Sequence, residues 1–257
     1  MKLLVKLGGT LLDDAASRHR LAAELTAVAA AGHQLAVVHG GGKQMTRFLA
    51  ERGVESKFVN GLRVTSPDVV DAVLKVLAGT VNHELVAALV KAGSRAVGLS
   101  GIDAGLTEAE QLNPELGAVG KLVHADASLL HLLCAHGYLP VVACVAGNKR
   151  GEIFNVNADQ MAVACAAAFG ASQLIFLTDV PGVKDGAGTV VPVLTAAGAQ
   201  GLIASGVATG GMEAKLNSAC QALAGGVGEV RIAPGQEPGA LAGVLAGEPI
   251  GTRMLAG

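Results

Sequence analysis

The chain has 257 residues, a formal net charge of −2 at pH 7 and only 2% aromatic residues. This charge gives no basic surface for nucleic acid or an anionic membrane, and so few aromatic rings argue against single-stranded nucleic acid, whose bases stack on them. Hydrophobic residues make up 51% of the chain and the mean hydropathy is +0.50, which suits one large α/β core.

The sequence shows no evident membrane or export signal. Its longest apolar run, residues 161–171, is far shorter than the roughly 20 residues that cross a bilayer, and the N-terminus does not resemble a signal peptide. Four scattered cysteines without a C-x-x-C pair predict free, mostly buried thiols: Cys134, Cys144, Cys165 and Cys220. We therefore expect a cytoplasmic protein without a membrane or nucleic-acid partner.

Strands and helices alternate along the first half of the chain. Predicted strands cover residues 3–6, 34–38 and 95–100, with a hairpin over 57–65. Predicted helices cover residues 14–31, 43–52, 66–79 and 82–92. Asp13 is predicted to cap the first of these helices, and Ser66 the third. Residues 101–124 are polar and glycine-rich, which favours hairpins.

The second half repeats the alternation with fewer irregular segments. Predicted strands cover residues 139–145, 173–179 and 229–233, with a possible last strand over 251–255. Predicted helices cover residues 127–136, 158–170, 195–204, 211–224 and 239–247. Strands separated by helices require crossover connections, so the fold class is α/β, with an open, mainly parallel sheet sandwiched by helices. A change of pattern near residues 170–172 divides this single domain into two lobes, 1–171 and 172–257.

Glycine pairs and triplets follow the first two predicted strands, in the sequences KLGG (6–9) and HGGG (39–42). Ligands of open parallel sheets bind beyond the carboxyl ends of strands, and glycines there let backbone N–H groups approach phosphate oxygens. Tight turns without a ligand are the alternative. The Walker, dinucleotide-binding, zinc-protease and serine-hydrolase motifs are missing.

Three further sequences place polar side chains in otherwise apolar surroundings. Arg63 lies in NGLRVT, and its forked guanidinium suits a carboxylate, although it could be an ordinary surface arginine. NVNADQ places Asn155, Asn157 and Asp159 at alternate positions, where Asn157 could simply cap a helix. Lys215 falls near a predicted helix N-terminus, where a lysine is unfavourable unless an anion neutralises it, or it is merely exposed.

Seven short sequences follow one another along the chain: KLGG, HGGG, NGLRVT, NVNADQ, LTDVPGV, GGMEAKL and GTRML. In this order they resemble the amino acid kinase family, and the resemblance covers nearly all of the chain. Within the family they resemble the branch that phosphorylates the side-chain carboxylate of N-acetyl-L-glutamate with ATP, the second step of arginine biosynthesis. The resemblance implies the amino acid kinase fold. It also implies an N-lobe (1–171) for the amino acid and for homodimerisation, a C-lobe (172–257) for ATP, and Mg²⁺ held by the ATP phosphates rather than by the protein.

The resemblance also implies roles for individual residues. Lys6 and Lys215 would stabilise the transferring phosphoryl group, with Asp159 holding both lysines. Gly9 and Gly41 would donate backbone N–H groups to its oxygens. The residues implied to bind the amino acid are Gly41, Gly42, Arg63 and Asn155. The residues implied to bind the nucleotide are Asp179, Val180, Gly182, Val183, Lys184, Val207, Ala208, Thr209, Gly211 and Met212.

Two alternatives remain open. One is a kinase for a carrier-bound aminoadipate or glutamate, and the other is a sensor that binds acetylglutamate or a nucleotide without turnover. Arginine-inhibited members of the family carry an extra N-terminal helix before the first strand. The first predicted strand of this sequence begins at Lys2, so we expect an enzyme insensitive to arginine.

Overall fold

The structure is a computed structural model and describes residues 1–256. Its centre is an eight-stranded sheet. Across all of its sheets, the structure has the strands β1 (Lys2–Leu7), β2 (Gln34–His39), β3 (Phe58–Val59), β4 (Leu62–Arg63), β5 (Ala96–Ser100), β6 (Thr107–Gln111), β7 (Gly120–Ala125), β8 (Leu139–Ala143), β9 (Val145–Gly147), β10 (Ile153–Asn155), β11 (Gln173–Thr178), β12 (Val193–Thr195), β13 (Glu229–Pro234) and β14 (Thr252–Leu255). Its α-helices are α1 (Ala15–Ala30), α2 (Gly42–Ala50), α3 (Pro67–Val73), α4 (Asn82–Lys91), α5 (Ser128–Ala135), α6 (Ala158–Phe169), α7 (Ala196–Ala204), α8 (Gly210–Ala224) and α9 (Ala240–Ala246).

The large sheet has the strand order β12-β14-β13-β11-β1-β2-β8-β5. Its neighbouring strands pair in parallel except β13 with β14, which confirms the predicted mainly parallel sheet. Helices α1 and α5 contact β2, whereas α6 packs on β1 and β11 and α8 packs on β13. Because strands covered on both faces lose all contact with water, Leu3, Leu4 and Val5 are 0% exposed.

The remaining strands form two smaller sheets. Strands β10, β9, β6 and β7 make a four-stranded sheet, and β6 with β7 is the antiparallel pair predicted within 101–124. The predicted strand 139–145 is divided, because β9 leaves the large sheet at Cys144 and joins the small one. The β3–β4 hairpin turns at Asn60 and Gly61, both with positive φ, as a two-residue hairpin turn requires.

The two helices predicted over 66–79 and 82–92 are one continuous helix, Pro67–Lys91. Its middle, Leu74–Val81, is a π-helical segment that joins α3 to α4. The first predicted helix ends at Gly79, but Val76, Leu77 and Val81 around this glycine are buried in the core, and that packing outweighs the low helix propensity of glycine. Single π-helical turns inside α-helices often lie beside functional sites.

This long helix also bears on the expectation that no segment spans a membrane. By length and composition alone, Pro67–Lys91 is long and apolar enough to do so, and 44% of its most apolar window is buried inside the molecule. This helix is longer than any uninterrupted apolar run in the sequence, because polar residues alternate with the apolar ones along Pro67–Lys91. Its inward-facing residues belong to the same hydrophobic core as the central sheet.

Two local predictions have a clear outcome. Asp14, not Asp13, caps α1, because its carboxylate accepts the backbone N–H of Ser17 at 2.9 Å. Asp13 instead pairs with Arg47 at 2.8 Å. The four cysteines are free thiols, as predicted, with Cys144 and Cys165 buried.

Candidate active site

The carboxyl ends of β1 and β2 bring the two glycine-rich turns into contact. The N–H of Gly40 donates to the carbonyl of Leu7, and that of Gly8 to the carbonyl of Leu177 in β11. A Cβ atom at Gly9 would lie 3.1 Å from the backbone nitrogens of both Gly41 and Gly42. Glycine at position 9 therefore allows the two turns to present their N–H groups side by side.

Lys6, Asp159 and Lys215 meet beside these turns. The Lys6 ammonium lies 2.6 Å from Asp159 Oδ1, and the Lys215 ammonium lies 2.9 Å from Oδ2. All three side chains are about nine-tenths buried, with exposures of 10%, 12% and 11%. Lys6 is supplied by β1, Asp159 by the first turn of α6 and Lys215 by α8. The predicted clustering of the three residues is therefore present.

Asp159 stays ionised at any physiological pH. Burial alone would raise the pKa of its carboxyl, but the charges and hydrogen bonds of Lys6 and Lys215 lower it from 3.8 to about 2. Since this pKa is depressed on folding, the carboxylate stabilises the fold above pH 3.8, and that contribution is lost as the pH falls towards 2. Burial, reinforced by the Lys6 charge, lowers the pKa of Lys215, while Asp159 and Asp179 oppose that change.

One negative and two positive charges share this buried site. Lys215 lies near the N-terminus of α8, where its N-cap Thr209 makes no side-chain cap hydrogen bond. A helix N-terminus and a surplus ammonium together favour an anion such as a phosphoryl group. Asn157 caps α6 by accepting the N–H groups of Asp159 and Gln160, so the capping alternative for Asn157 is confirmed.

A cavity of about 240 Å³ opens next to Lys6. Its walls include Gly9 and the three glycines of the HGGG turn, and Arg63 and Asn155 also line it. A larger cavity, about 530 Å³, opens at the opposite edge of the sheet and is lined by none of the predicted site residues. Because Lys6, Asn155 and glycines of both turns line the cavity of about 240 Å³, it is the candidate substrate pocket.

Arg63 is held rather than solvated, which sets aside the surface-arginine alternative. Its side chain is buried and donates to the Ser56 hydroxyl, to the Gly42 carbonyl at 3.0 Å and to Thr46 Oγ1 at 2.8 Å. The ring of Phe58 stacks 4.6 Å from the guanidinium carbon. Burial lowers the pKa of Arg63 from its ordinary value. These contacts fix the guanidinium at the wall of the cavity.

The predicted nucleotide residues are divided between surface and core. Asp179 follows β11 and is exposed, and its charge opposes the decrease in the pKa of Lys215 that burial causes. Val183 and Ala208 are buried, and the Val183 N–H donates to Thr252 Oγ1. Exposed or partly exposed members are Val180, Lys184, Val207, Thr209, Gly211 and Met212, whereas Gly182 is buried.

The sequence did not identify His39 and Asn82 as parts of the site. His39 is fully buried, and its Nδ1 donates to the carbonyl of Gly40 at 2.9 Å, so its Nε2 accepts from Asn82 at 3.0 Å. Burial lowers the pKa of His39 to about 4, despite the opposing bond to Gly40. A neutral imidazole thus fastens the HGGG turn. In the sequence, the position of this histidine directly before the three glycines was the feature that could have indicated its role in holding the turn.

Known proteins resemble this chain along nearly its whole length. The acetylglutamate kinase of Solibacter usitatus is 68% identical over 255 residues, which cover 99% of each chain. The acetylglutamate kinase of Koribacter versatilis is 43% identical over 94% of this chain and 93% of its own. Both relatives carry the kinase name that the sequence motifs suggested.

Solved structures share the fold. The protein smu.665 from Streptococcus mutans matches all of this chain and 99% of its own with a TM-score of 0.85 at 29% identity. N-acetylglutamate synthase from Neisseria gonorrhoeae, complexed with coenzyme A and N-acetyl-glutamate, matches with a TM-score of 0.90 at 26% identity, and this chain spans 59% of its length. The family model described as Amino acid kinase family matches residues 1–234, and the chain belongs to the amino acid kinase family.

Proposed function

We propose that this chain is a kinase that transfers the γ-phosphoryl group of ATP to the side-chain carboxylate of N-acetyl-L-glutamate. The product is N-acetyl-L-glutamyl 5-phosphate, and the reaction is the second step of arginine biosynthesis. The buried Lys6–Asp159–Lys215 cluster, whose Lys6 borders a cavity that Arg63 and Asn155 also line, is the observation that carries the proposal. The names and identities of the curated relatives support the same reaction.

The chemistry needs positioning and charge more than it needs a base. A glutamyl carboxylate with a pKa of about 4.3 is already ionised at neutral pH, so the nucleophile requires no deprotonation. Two anions that repel one another must instead be aligned, and the charge of the migrating phosphoryl group must be stabilised. Lys6 and Lys215 supply that charge, and the N–H groups of Gly9 and Gly41 supply hydrogen bonds.

The amino acid and the nucleotide occupy opposite sides of the lysine cluster. Arg63 and Asn155, with the turn at Gly41 and Gly42, bind the α-carboxylate and acetamido end of the substrate in the N-lobe (1–171). ATP binds in the C-lobe (172–257), on the side of Asp179 and the α8 N-terminus. The enzyme acts in the cytoplasm. The open helix terminus and Lys215 fit a polyphosphate. Mg²⁺, held by the ATP phosphates, neutralises charge on the nucleotide.

Trapping the acyl phosphate with hydroxylamine tests the substrate. We expect hydroxamate from N-acetyl-L-glutamate and ATP, and little from free glutamate, aspartate or a carrier-bound aminoadipate or glutamate. If only the carrier-bound substrates gave strong hydroxamate formation, the chain would instead be a kinase for those substrates. Tight binding of acetylglutamate without hydroxamate or ADP would indicate a sensor.

Arg63→Lys is expected to raise the KM for acetylglutamate about tenfold and leave the KM for ATP nearly unchanged. Lysine keeps the charge but cannot reproduce the guanidinium contacts, in which Nη1 donates to Ser56 while Nη2 donates to Thr46 and the Gly42 carbonyl. Initial rates with each substrate varied in turn provide the measurement. Arg47→Lys is the matched control, because Arg47 is 58% exposed on α2. Equal KM values for the two variants would contradict the role of Arg63.

The rate is expected to fall at alkaline pH as Lys215 loses its proton. Because burial lowers the pKa of Lys215 below 10.5, kcat/KM for ATP, which reports the free enzyme, should decline below that pH. The kcat profile should decline at higher pH, since the phosphates of bound ATP favour the ammonium form. Rates measured across the alkaline range test this, and coincident kcat and kcat/KM profiles would contradict it.

A homodimer is expected from the edge of the large sheet. Strand β5 is the last strand in the order, and its outer edge has no partner among residues 1–256. The long helix packs against β5 through its π-helical segment and α4, and on this helix Val70 and Leu74 are only half-buried and Val90 is 54% exposed. An unpaired edge beside apolar surface favours association with a second copy. Light scattering at micromolar concentration should give a dimer, and a monomer would contradict the expectation.

A further inference from the structure

Thr65 connects the main chain at Arg63 to the side chain of Asn155, and both of these residues line the candidate substrate pocket. It follows β4 and is 0% exposed. Its hydroxyl oxygen lies 2.8 Å from the main-chain carbonyl of Arg63 and 3.1 Å from Nδ2 of Asn155. A buried hydroxyl that contacts the Asn155 amide and the main chain of Arg63 is placed to influence how the pocket is arranged.

The hydrogen-bond chemistry of Thr65 fixes one orientation of the Asn155 amide. A hydroxyl has a single proton, and the carbonyl of Arg63 can only accept, so the Thr65 proton goes to that carbonyl. The hydroxyl oxygen must then accept from Asn155, and only the amide nitrogen can donate to it. The Asn155 Oδ1 and one remaining N–H are left for a ligand.

The backbone around Thr65 makes this arrangement rigid. The Thr65 N–H donates to the carbonyl of Leu116 at 2.9 Å, and the Thr65 carbonyl accepts from Ala118 at 2.7 Å. The carbonyl of Ala118 in turn accepts the N–H of Asn155 at 2.9 Å. A Cβ at Gly117 would fall 2.2 Å from the Thr65 carbonyl oxygen, so glycine is needed for this close approach. Thr65 and Asn155 are thus held by the same short segment.

We infer that Thr65 is a positioning residue for the amino-acid substrate: its hydroxyl sets which face of the Asn155 amide meets the ligand. An acetamido group offers one N–H and one carbonyl, and a carboxylate offers only acceptors. A fixed amide with one free acceptor and one free donor therefore recognises an N-acylated α-amino acid in a single register. This inference rests on the proposed role of Asn155 in substrate binding.

Thr65→Val tests the inference because valine keeps the shape and removes the hydroxyl. We expect the KM for acetylglutamate to rise about tenfold, with kcat and the KM for ATP changed less than threefold. Thr65→Ser, which keeps the hydroxyl, should restore the KM. A purely structural role would instead lower thermal stability and the active fraction without a selective change in this KM. Should Thr65→Val not fold, Thr65→Ala removes the hydroxyl without filling the space and serves the same test.

A double-mutant cycle shows whether Thr65 acts through Asn155. Asn155→Ala should raise the KM for acetylglutamate, and adding Thr65→Val to it should cause no further rise. Thr107→Val is the matched control, since Thr107 is a buried threonine whose hydroxyl faces the Met161 sulfur. Independent, additive effects would overturn the inference alone. No effect of Asn155→Ala would overturn the inference together with the proposed pocket.

Discussion

Lys215→Ala is expected to lower kcat about 10²–10³-fold while raising KM only slightly, the loss typical of removing one preorganised charge donor. Lys215 is 11% exposed and lies 2.9 Å from Asp159, so its ammonium is already oriented before a nucleotide binds. An interaction that strengthens as charge develops on the phosphoryl group affects kcat and kcat/KM together.

Lys6→Ala is expected to give a loss of the same size, since Lys6 contacts the other oxygen of Asp159 and borders the cavity. Lys149→Ala is the control, because Lys149 is 90% exposed. Steady-state rates with both substrates saturating measure the effect. A kcat within threefold of the parent enzyme for either site variant would contradict the assigned roles.

Asp159→Asn is expected to abolish at least 99% of the activity, about a 10²-fold loss, in a protein that still folds. The amide keeps the shape of the carboxylate but leaves two neighbouring ammonium groups without a counter-charge. The pKa of Lys215, already lowered by burial, should fall further because the Asp159 charge opposes that decrease. One or both lysines would then lose a proton or move apart.

Far-UV circular dichroism and thermal unfolding should accompany the rate measurement for Asp159→Asn. We expect a native spectrum with a lower Tm, because a buried ammonium is left unpaired. Asp71→Asn serves as the control, since its exposed carboxylate pairs with Lys75 on the surface. Preserved activity with a native spectrum would show that Asp159 does not organise the two lysines.

The alternation of strands and helices along the chain and the positions of the two glycine-rich turns were accessible from the sequence because both depend on local signals. Glycines at strand ends marked the KLGG and HGGG turns, and parallel strands place such ends at one edge of the sheet. The structure brings Gly9 within contact of Gly41 and Gly42 at that edge. The predicted cluster of Lys6, Asp159 and Lys215 followed from the family resemblance, which ordered motifs too far apart to be related by spacing.

Tertiary packing decided what the local signals could not. Gly79 is an ordinary stop signal, yet burial of Leu77 and Val81 carries the helix through it as a π-helical segment. The π-helical segment packs against the HGGG turn on the substrate side of the site, where a Cβ at Gly41 would lie 2.5 Å from Leu77. Because the sequence predicted two helices separated at residues 79–82, it did not reveal that this helix packs against the HGGG turn.

Polar contacts between distant residues were equally inaccessible. Thr65 and Asn155 are 90 positions apart, and the sequence alone gave no reason to pair them. Thr46 and Ser56, which hold Arg63, belong to a helix and a loop that the hairpin meets only after folding. Such residues show no spacing rule, because three-dimensional proximity alone relates them to the ligand-binding side chains.

The ratio of ADP released to hydroxamate formed tests most directly whether this site phosphorylates a carboxylate. With N-acetyl-L-glutamate, ATP, Mg²⁺ and hydroxylamine, we predict a ratio of about one, as direct transfer to the carboxylate requires. Lys215→Ala should lower both products in parallel. ADP released without hydroxamate, or no ADP at all from the folded protein, would contradict the account.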